Sequence, residues 1–253
     1  MNWIGLYTFI RREVERTLRV ATQTLVTPWI SALLYIFVFG SVVGRKIDLI
    51  AGVPYISFVL PGILMMNVIS SAFGSSSSSL YFQRFQRTIE EMLVAPFSHL
   101  EMIIGFVMSG IVRAMIIALG IFVLALLFGG AHIAHIGLFI LVIFLVSTIF
   151  SLLGVLVGLW ANNFEQLNVL TTFVIMPLSF LGGTFYSVQM LPERFRAIAY
   201  FNPFFYFIDS TRCAMIGVCE SNPFVGFGVM IGLVLLFGWL VWTLFERGWR
   251  LRV

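Results

Sequence analysis

The stretch RTIEEMLVAP, Arg87 to Pro96, carries an uncommon charge pattern: Arg87 precedes Glu90 and Glu91 at helical spacing, Met92 and Leu93 follow, and Pro96 closes the run. A short polar helix fits it. Elsewhere, residue types that could do chemistry are sparse. His132 and His135 have no neighbouring carboxylate or thiol to complete a closed metal site, so a solvated loop pair is expected and no metal. The serines have no histidine near them to act as base, which argues against nucleophilic hydrolysis and leaves no catalytic residue to name. Cys213 and Cys219, six positions apart, have a spacing that neither demands nor forbids a disulfide. Met65, Asn67 and Ser70, together with Thr172, Phe173 and Met176, form two groups of adaptable apolar and small polar side chains. Such groups suit an amphipathic ligand.

The elements that must position these residues are helices in a bilayer. Of 253 residues, 60% are hydrophobic and 10% charged, and the mean hydropathy is +1.04; a soluble domain has about 45–50% apolar and 25% charged residues. Uncharged stretches reach 51 residues, from Ala114 to Phe164, against about 20 for one spanning helix. We expect an all-α membrane protein, a single transmembrane domain over 1–253 with spans at 24–43, 54–80, 103–128, 136–160, 167–187 and 223–244. The serines from Ser75 to Ser79 then extend the second span as a small-residue face for close packing. No span so drawn contains Asp, Glu, His or Lys, as an ion-coupled carrier would need, and Arg113 is the one formal charge inside a span. A permanent cation cannot relay protons, so Arg113 reads as an anchor or a functional charge.

Before the first span, residues 1–23 form an amphipathic helix lying in the membrane surface. Trp3, Leu6, Tyr7, Ile10, Val14 and Leu18 are on one side, and Arg12, Glu15, Arg16 and Arg19 on the other. Arg11, Arg12, Arg16, Arg19, Arg84, Arg87, Arg247, Arg250 and Arg252 fall on one side of the membrane, and Arg45, Lys46, Arg194, Arg196 and Arg212 on the other. The excess predicts both termini in the cytoplasm. The segment 83–101 is then cytoplasmic. The external segment 188–222 is too polar to span and too apolar for a solvated loop, so it dips back into the membrane among neighbouring helices. The lone lysine, Lys46, lacks the glycine before it and the hydroxyl residue after it that a Walker A loop requires. A chain with so little polar surface also has no groove for nucleic acid.

RTIEEMLVAP and PLSFLGGTFYSVQMLPERFRAIAYFNPFFYFID, Pro177 to Asp209, together with the surface helix and six spans, resemble the ABC-2 type exporter permease family over essentially the whole chain. The family includes bacterial lipo-oligosaccharide, polysaccharide and drug exporters. The resemblance implies the transmembrane subunit of a type V, ABCG-like exporter in the bacterial inner membrane. Its expected partners are a second permease copy, giving a homodimer, two copies of an ATP-binding subunit, and membrane lipid. ATP and Mg2+ would belong to those ATPase subunits, with no cofactor on this chain. By position, Arg87, Glu90, Glu91, Met92 and Leu93 inherit the role of a coupling helix, and the second and fifth spans that of a substrate pathway. A channel or secondary carrier working without an ATPase is the alternative. The absence of intramembrane acids and the charged, proline-ended cytoplasmic helix speak against it.

Overall fold

A computed structural model describes residues 3–20, 22–44, 49–94, 97–127 and 133–250. Arg45, Lys46, Pro96, His132 and Arg252 lie outside the described residues. Almost everything described is helical: α1 (Trp3–Arg19), α2 (Thr27–Phe37), α3 (Tyr55–Phe85), α4 (Thr88–Val94), α5 (His99–Leu127), α6 (Ile136–Trp160), α7 (Phe164–Leu170), α8 (Met176–Leu181), α9 (Glu193–Phe201), α10 (Pro203–Ile216) and α11 (Pro223–Glu246). Wide π-helical turns at Thr22–Val26 and Val38–Val43 flank α2, and another, Thr171–Ile175, joins α7 to α8. A two-residue antiparallel ribbon, β1 (Leu49–Ile50) with β2 (Val53–Pro54), turns at Ala51 and Gly52, both at positive φ.

Six helical stretches are long and apolar enough to cross a membrane: Thr22–Gly40, Tyr55–Phe85, His99–Leu127, Ile136–Trp160, Phe164–Leu181 and Pro223–Glu246. The limits differ from the sequence-based spans for identifiable reasons. The third helix starts at His99 rather than 103, because Ser98 and Glu101 form a reciprocal cap: the Ser98 N–H donates to Glu101 Oε2 at 2.8 Å and the Glu101 N–H to Ser98 Oγ at 3.3 Å. An acid, Glu101, is therefore buried in the first turn of a helix that the sequence-drawn span left free of one. The fifth ends at Leu181 rather than 187, because Gly182 follows and Gly183 takes a left-handed φ of 84°.

The core is the trio α3, α5 and α6, with α3 packed chiefly on α6 and α5. Close approach is possible because the facing residues are small. A Cβ on Gly154 of α6 would come within 2.6 Å of the Phe73 carbonyl oxygen of α3, and one on Gly110 of α5 within 2.1 Å of Ser151 Oγ. Ser75, Ser76, Ser77 and Ser79 of α3 are all buried. In lipid, where tails are as apolar as leucine, such backbone proximity replaces hydrophobic burial as the force between helices.

Candidate functional site

At one end of the bundle α3 leads into α4 through Gln86 and Arg87. Arg87 adopts a left-handed φ of 59°, a conformation that costs a residue with a Cβ about 1–2 kcal/mol. Its N–H donates to the Arg84 carbonyl at 3.0 Å and its carbonyl accepts from Glu90 N–H at 3.1 Å, so this residue sets the angle between the two helices. Ile89 anchors α4 in a cluster with Phe106, Val155 and Phe245, while Glu90, Glu91 and Val94 point outward. Met92 is half-buried, and the Leu93 side chain is outside the described set. A groove of about 320 Å³ separates α4 from α1, with Thr8, Phe9 and Arg12 on one wall and Thr88, Glu91 and Met92 on the other.

The N-terminal helix has three faces rather than two. Leu6, Phe9, Glu13 and Thr17 are buried, with the Phe9 ring edge-on to Phe106 at 5.2 Å and pressed against Gly105 of α5. Trp3, Ile4, Tyr7 and Leu18 are exposed and apolar. Arg12 and Arg19 make the third side, and Arg11 lies with the exposed apolar residues, one turn from Tyr7. The apolar set read from the sequence is thus divided, since Leu6 turns inward while Trp3, Tyr7 and Leu18 do not. Buried Glu13 joins α1 to α3: its Oε2 accepts from Ser79 Oγ at 2.6 Å and its Oε1 from Gln83 Nε2 at 3.0 Å. Arg16 supplies the countercharge at 3.1 Å. One turn on, Arg84 donates to the carbonyls of Gly158, Leu159 and Ala161 at 2.8, 2.7 and 3.3 Å, closing the C-terminal end of α6 where the helix dipole favours a cation. Arg250 donates to Trp160 O at 2.6 Å, so the described N- and C-terminal residues meet at this same end.

The residues of the second and fifth spans divide. Met65 is fully buried and faces the core, which removes it from any pathway along the outside of the trio. Asn67 and Ser70 are partly open on a stripe of α3 continued by Gly74 and Ser78; a Cβ on Gly74 would meet nothing within 4 Å. Thr172, Phe173 and Met176 are exposed on the fifth span, with Thr172 and Phe173 in its π-helical turn and Phe173 at 72% exposure. This turn and α7 both contact α3, so the two spans are neighbours. Arg113 is half-buried in α5, its Nε without a hydrogen-bond partner among the described residues.

At the opposite end α10 is buried against α3 and α6. Asn202 ties the two halves of the second motif together, its Oδ1 accepting from Phe204 N–H at 3.1 Å as the cap of α10 and its Nδ2 donating to Leu178 O at 2.6 Å. Arg212 is wholly buried, with its guanidinium 3.8 Å from the Phe58 ring centroid and donating to Gly183 O at 2.8 Å. Glu220 stands 3.6 Å from it, and Asp209 accepts from the N–H groups of Glu220 and Ser221 at 2.8 and 2.9 Å. Burial pushes the Arg212 pKa below its ordinary value, against the opposing pull of Glu220 and Asp209. Cys213 and Cys219 are joined as a disulfide across this same turn.

The ABC-2 type transporter family profile matches residues 5–216. The chain belongs to the ABC-2 type transporter family. It is similar to the inner membrane transport permease YadH of Escherichia coli K12, at 35% identity over all of this chain and 98% of that protein. It also resembles Nodulation protein J of Rhizobium leguminosarum bv. viciae, at 26% identity over 91% of this chain and 88% of that protein, and of Rhizobium meliloti, at 27% over 91% and 86%. This ABC-2 type chain is accordingly a multi-pass inner membrane protein and a transport permease subunit that associates with an ABC ATP-binding subunit. Sequence reasoning did not find the partners of Glu13, Arg84 and Arg212. Arg84 and Arg212 entered it only as loop charges, although Arg84 directly follows the long uncharged run from Leu49 to Gln83 and Arg212 has acids close on both sides at Asp209 and Glu220, where a charge must find a partner or water.

Proposed function

We propose that this permease exports an amphipathic or hydrophobic substrate, a drug, lipid, glycolipid or polysaccharide, as one of two copies in a homodimer served by two ATPase subunits. The observation that carries the coupling assignment is α4: a short helix anchored by Ile89, presenting Glu90 and Glu91, and joined without slack to α3 through the fixed turn at Arg87. Both termini and α4 lie on the cytoplasmic side. The groove between α1 and α4 receives part of the ATPase, with Arg87, Glu90, Glu91, Met92 and Leu93 at the contact. Closing of the ATPase dimer on ATP moves α4, and α3 carries the displacement to the substrate pathway, lined by Asn67, Ser70, Thr172, Phe173 and Met176 where the two copies meet. Only a contact whose affinity differs between the inward- and outward-open states can drive this change. α1 lies in the membrane surface, and α9 and α10 re-enter the membrane to close the exit.

The test is Glu90→Arg with Glu91→Arg, coexpressed with the ATPase subunit. The variant should insert and keep the unfolding temperature of the parent, while the stimulation of ATP hydrolysis by the permease, and export with it, are lost. Unchanged coupling in that variant would overturn the role given to α4.

A further inference from the structure

Alongside the groove that faces α4, the charged side of α1 borders a second cavity of about 500 Å³, whose far wall is the end of α3 at Ser79, Phe82, Gln83 and Gln86. Its charges do not cancel. Glu13 is already held by Ser79, Gln83 and Arg16, and Glu15 by Arg11 at 2.8 Å. Arg12 is 3.7 Å from Glu13 with its side chain 54% exposed, and Arg19 has no ion-pair partner among the described residues. Three arginines of α1, Arg12, Arg16 and Arg19, line the cavity against two glutamates, Glu13 and Glu15. Apolar side chains are exposed nearby: Phe82 lines the cavity and is 40% exposed, and Leu18 and Val20, the chain neighbours of Arg19, are exposed by 50% and 47% outside its lining. Excess positive charge at the rim of an apolar skirt matches a molecule with an anionic head and hydrocarbon tails, because the head recovers hydrogen bonds and countercharge while the tails stay out of water.

We infer that this cavity holds the phosphate-diester headgroup of an anionic glycerophospholipid from the leaflet on which α1 lies. Arg12 and Arg19 contact the phosphate, and the acyl chains run past Phe82 and Leu18. The inference rests on α1 lying in the membrane surface and does not require the ATPase contact, although Arg12 and Thr88 border both places. Arg12 lines both this cavity and the groove shared with Glu91 and Met92. A bound headgroup thereby fixes the wall against which α4 moves, and the lipid acts as a structural ligand of the coupling end rather than as cargo.

The experiment uses the purified full chain in mixed micelles holding equal phosphatidylglycerol and phosphatidylcholine, with retained lipid read by native mass spectrometry. The parent should retain phosphatidylglycerol over phosphatidylcholine. Arg12→Gln with Arg19→Gln should lower that retention roughly tenfold or more, given two cationic contacts removed. Both side chains are exposed, so an unchanged unfolding temperature shows that the variant is folded. Equal retention by parent and variant overturns the inference, as does displacement of the lipid by millimolar inorganic phosphate, which would make the site one for a free anion. The Glu90→Arg, Glu91→Arg variant should keep the lipid, so failure of the coupling assignment is seen separately. A nitroxide on Tyr7→Cys, broadened by a lipid-soluble relaxing agent and not by an aqueous one, tests the surface position of α1 on its own.

Discussion

Glu13 and Ser79 are 66 residues apart in sequence and share a hydrogen bond of 2.6 Å. With Gln83 and Arg16 on the same carboxylate, this bond fastens the N-terminal helix to the end of α3 that continues into α4. Glu13→Ala leaves Ser79 and Gln83 buried without a partner and should lower stability by about 2–4 kcal/mol. Ser79→Ala should cost about 1 kcal/mol, and the double variant should cost less than the two separately, because both remove the same bond. Thermal unfolding in detergent reads all three, and an unchanged midpoint for Glu13→Ala would remove this fastening from the account.

At the other end, Arg212→Met leaves the Glu220 carboxylate buried with its countercharge gone. A loss of about 3–5 kcal/mol is expected, seen as faster proteolysis within 188–222. Glu220→Met added to Arg212→Met should recover part of that loss, since Glu220 is no longer buried without its countercharge while Asp209 keeps the N–H groups of Glu220 and Ser221. A double variant as fragile as the single one would show that Arg212 acts mainly through Phe58 and Gly183.

The Cys213–Cys219 disulfide closes a short loop, with a sequence separation of 6; for that length chain entropy alone gives about 2 kcal/mol. Cys213→Ser should lower stability by that order. In the parent, maleimide applied from the outside should label neither cysteine until a reductant is added. Labelling of the untreated protein would mean that the two thiols are free in the cell.

The small residues of α3 and α6 are not equivalent. Gly154→Leu must push the helix away from the Phe73 carbonyl and should destabilise by about 3 kcal/mol or prevent folding. Gly74→Leu projects into open space within one chain and should leave its unfolding temperature nearly unchanged. If the open stripe of α3 meets a second copy, Gly74→Leu should instead separate the dimer, as crosslinking would reveal. A Gly74→Leu protein that still crosslinks as a dimer would move the contact away from this stripe.

How far the sequence could be read follows from the kind of pattern each feature leaves. Length and hydropathy locate six spans because a bilayer imposes one long apolar run per crossing, and Glu90 and Glu91 stand out because with Arg84, Arg87 and Glu101 they gather charge between two long apolar runs. The ends move where local hydrogen bonding decides them, as at Ser98 with Glu101 and at Gly182 with Gly183. Periodicity groups the residues of α1 by side without saying which side meets protein, so Glu13 looks like one more charge of a surface helix. Its partners, Ser79 and Gln83, are found only once two distant segments are placed together. Arg212 is hidden for the same reason, and the cysteine spacing leaves pairing open until the turn between them has a shape. Met65 and Asn67 are near neighbours in sequence, yet two residues of rotation separate a core position from an open one.

Pro61, in the second turn of α3, provides no N–H for the helix and leaves one rung of its ladder empty. Beyond it 24 residues run to Phe85 without another proline, a rod of about 36 Å at 1.5 Å per residue. The two ends of α3 therefore differ mechanically. The length leading to α4 is an unbroken shaft held at Glu13 and Arg84, while the turn bearing Phe58 against Arg212 precedes the empty rung. A missing rung makes the Pro61 turn the easiest place for α3 to bend, so under the coupling we propose, movement entering at α4 should flex the helix beneath Arg212 rather than along the shaft.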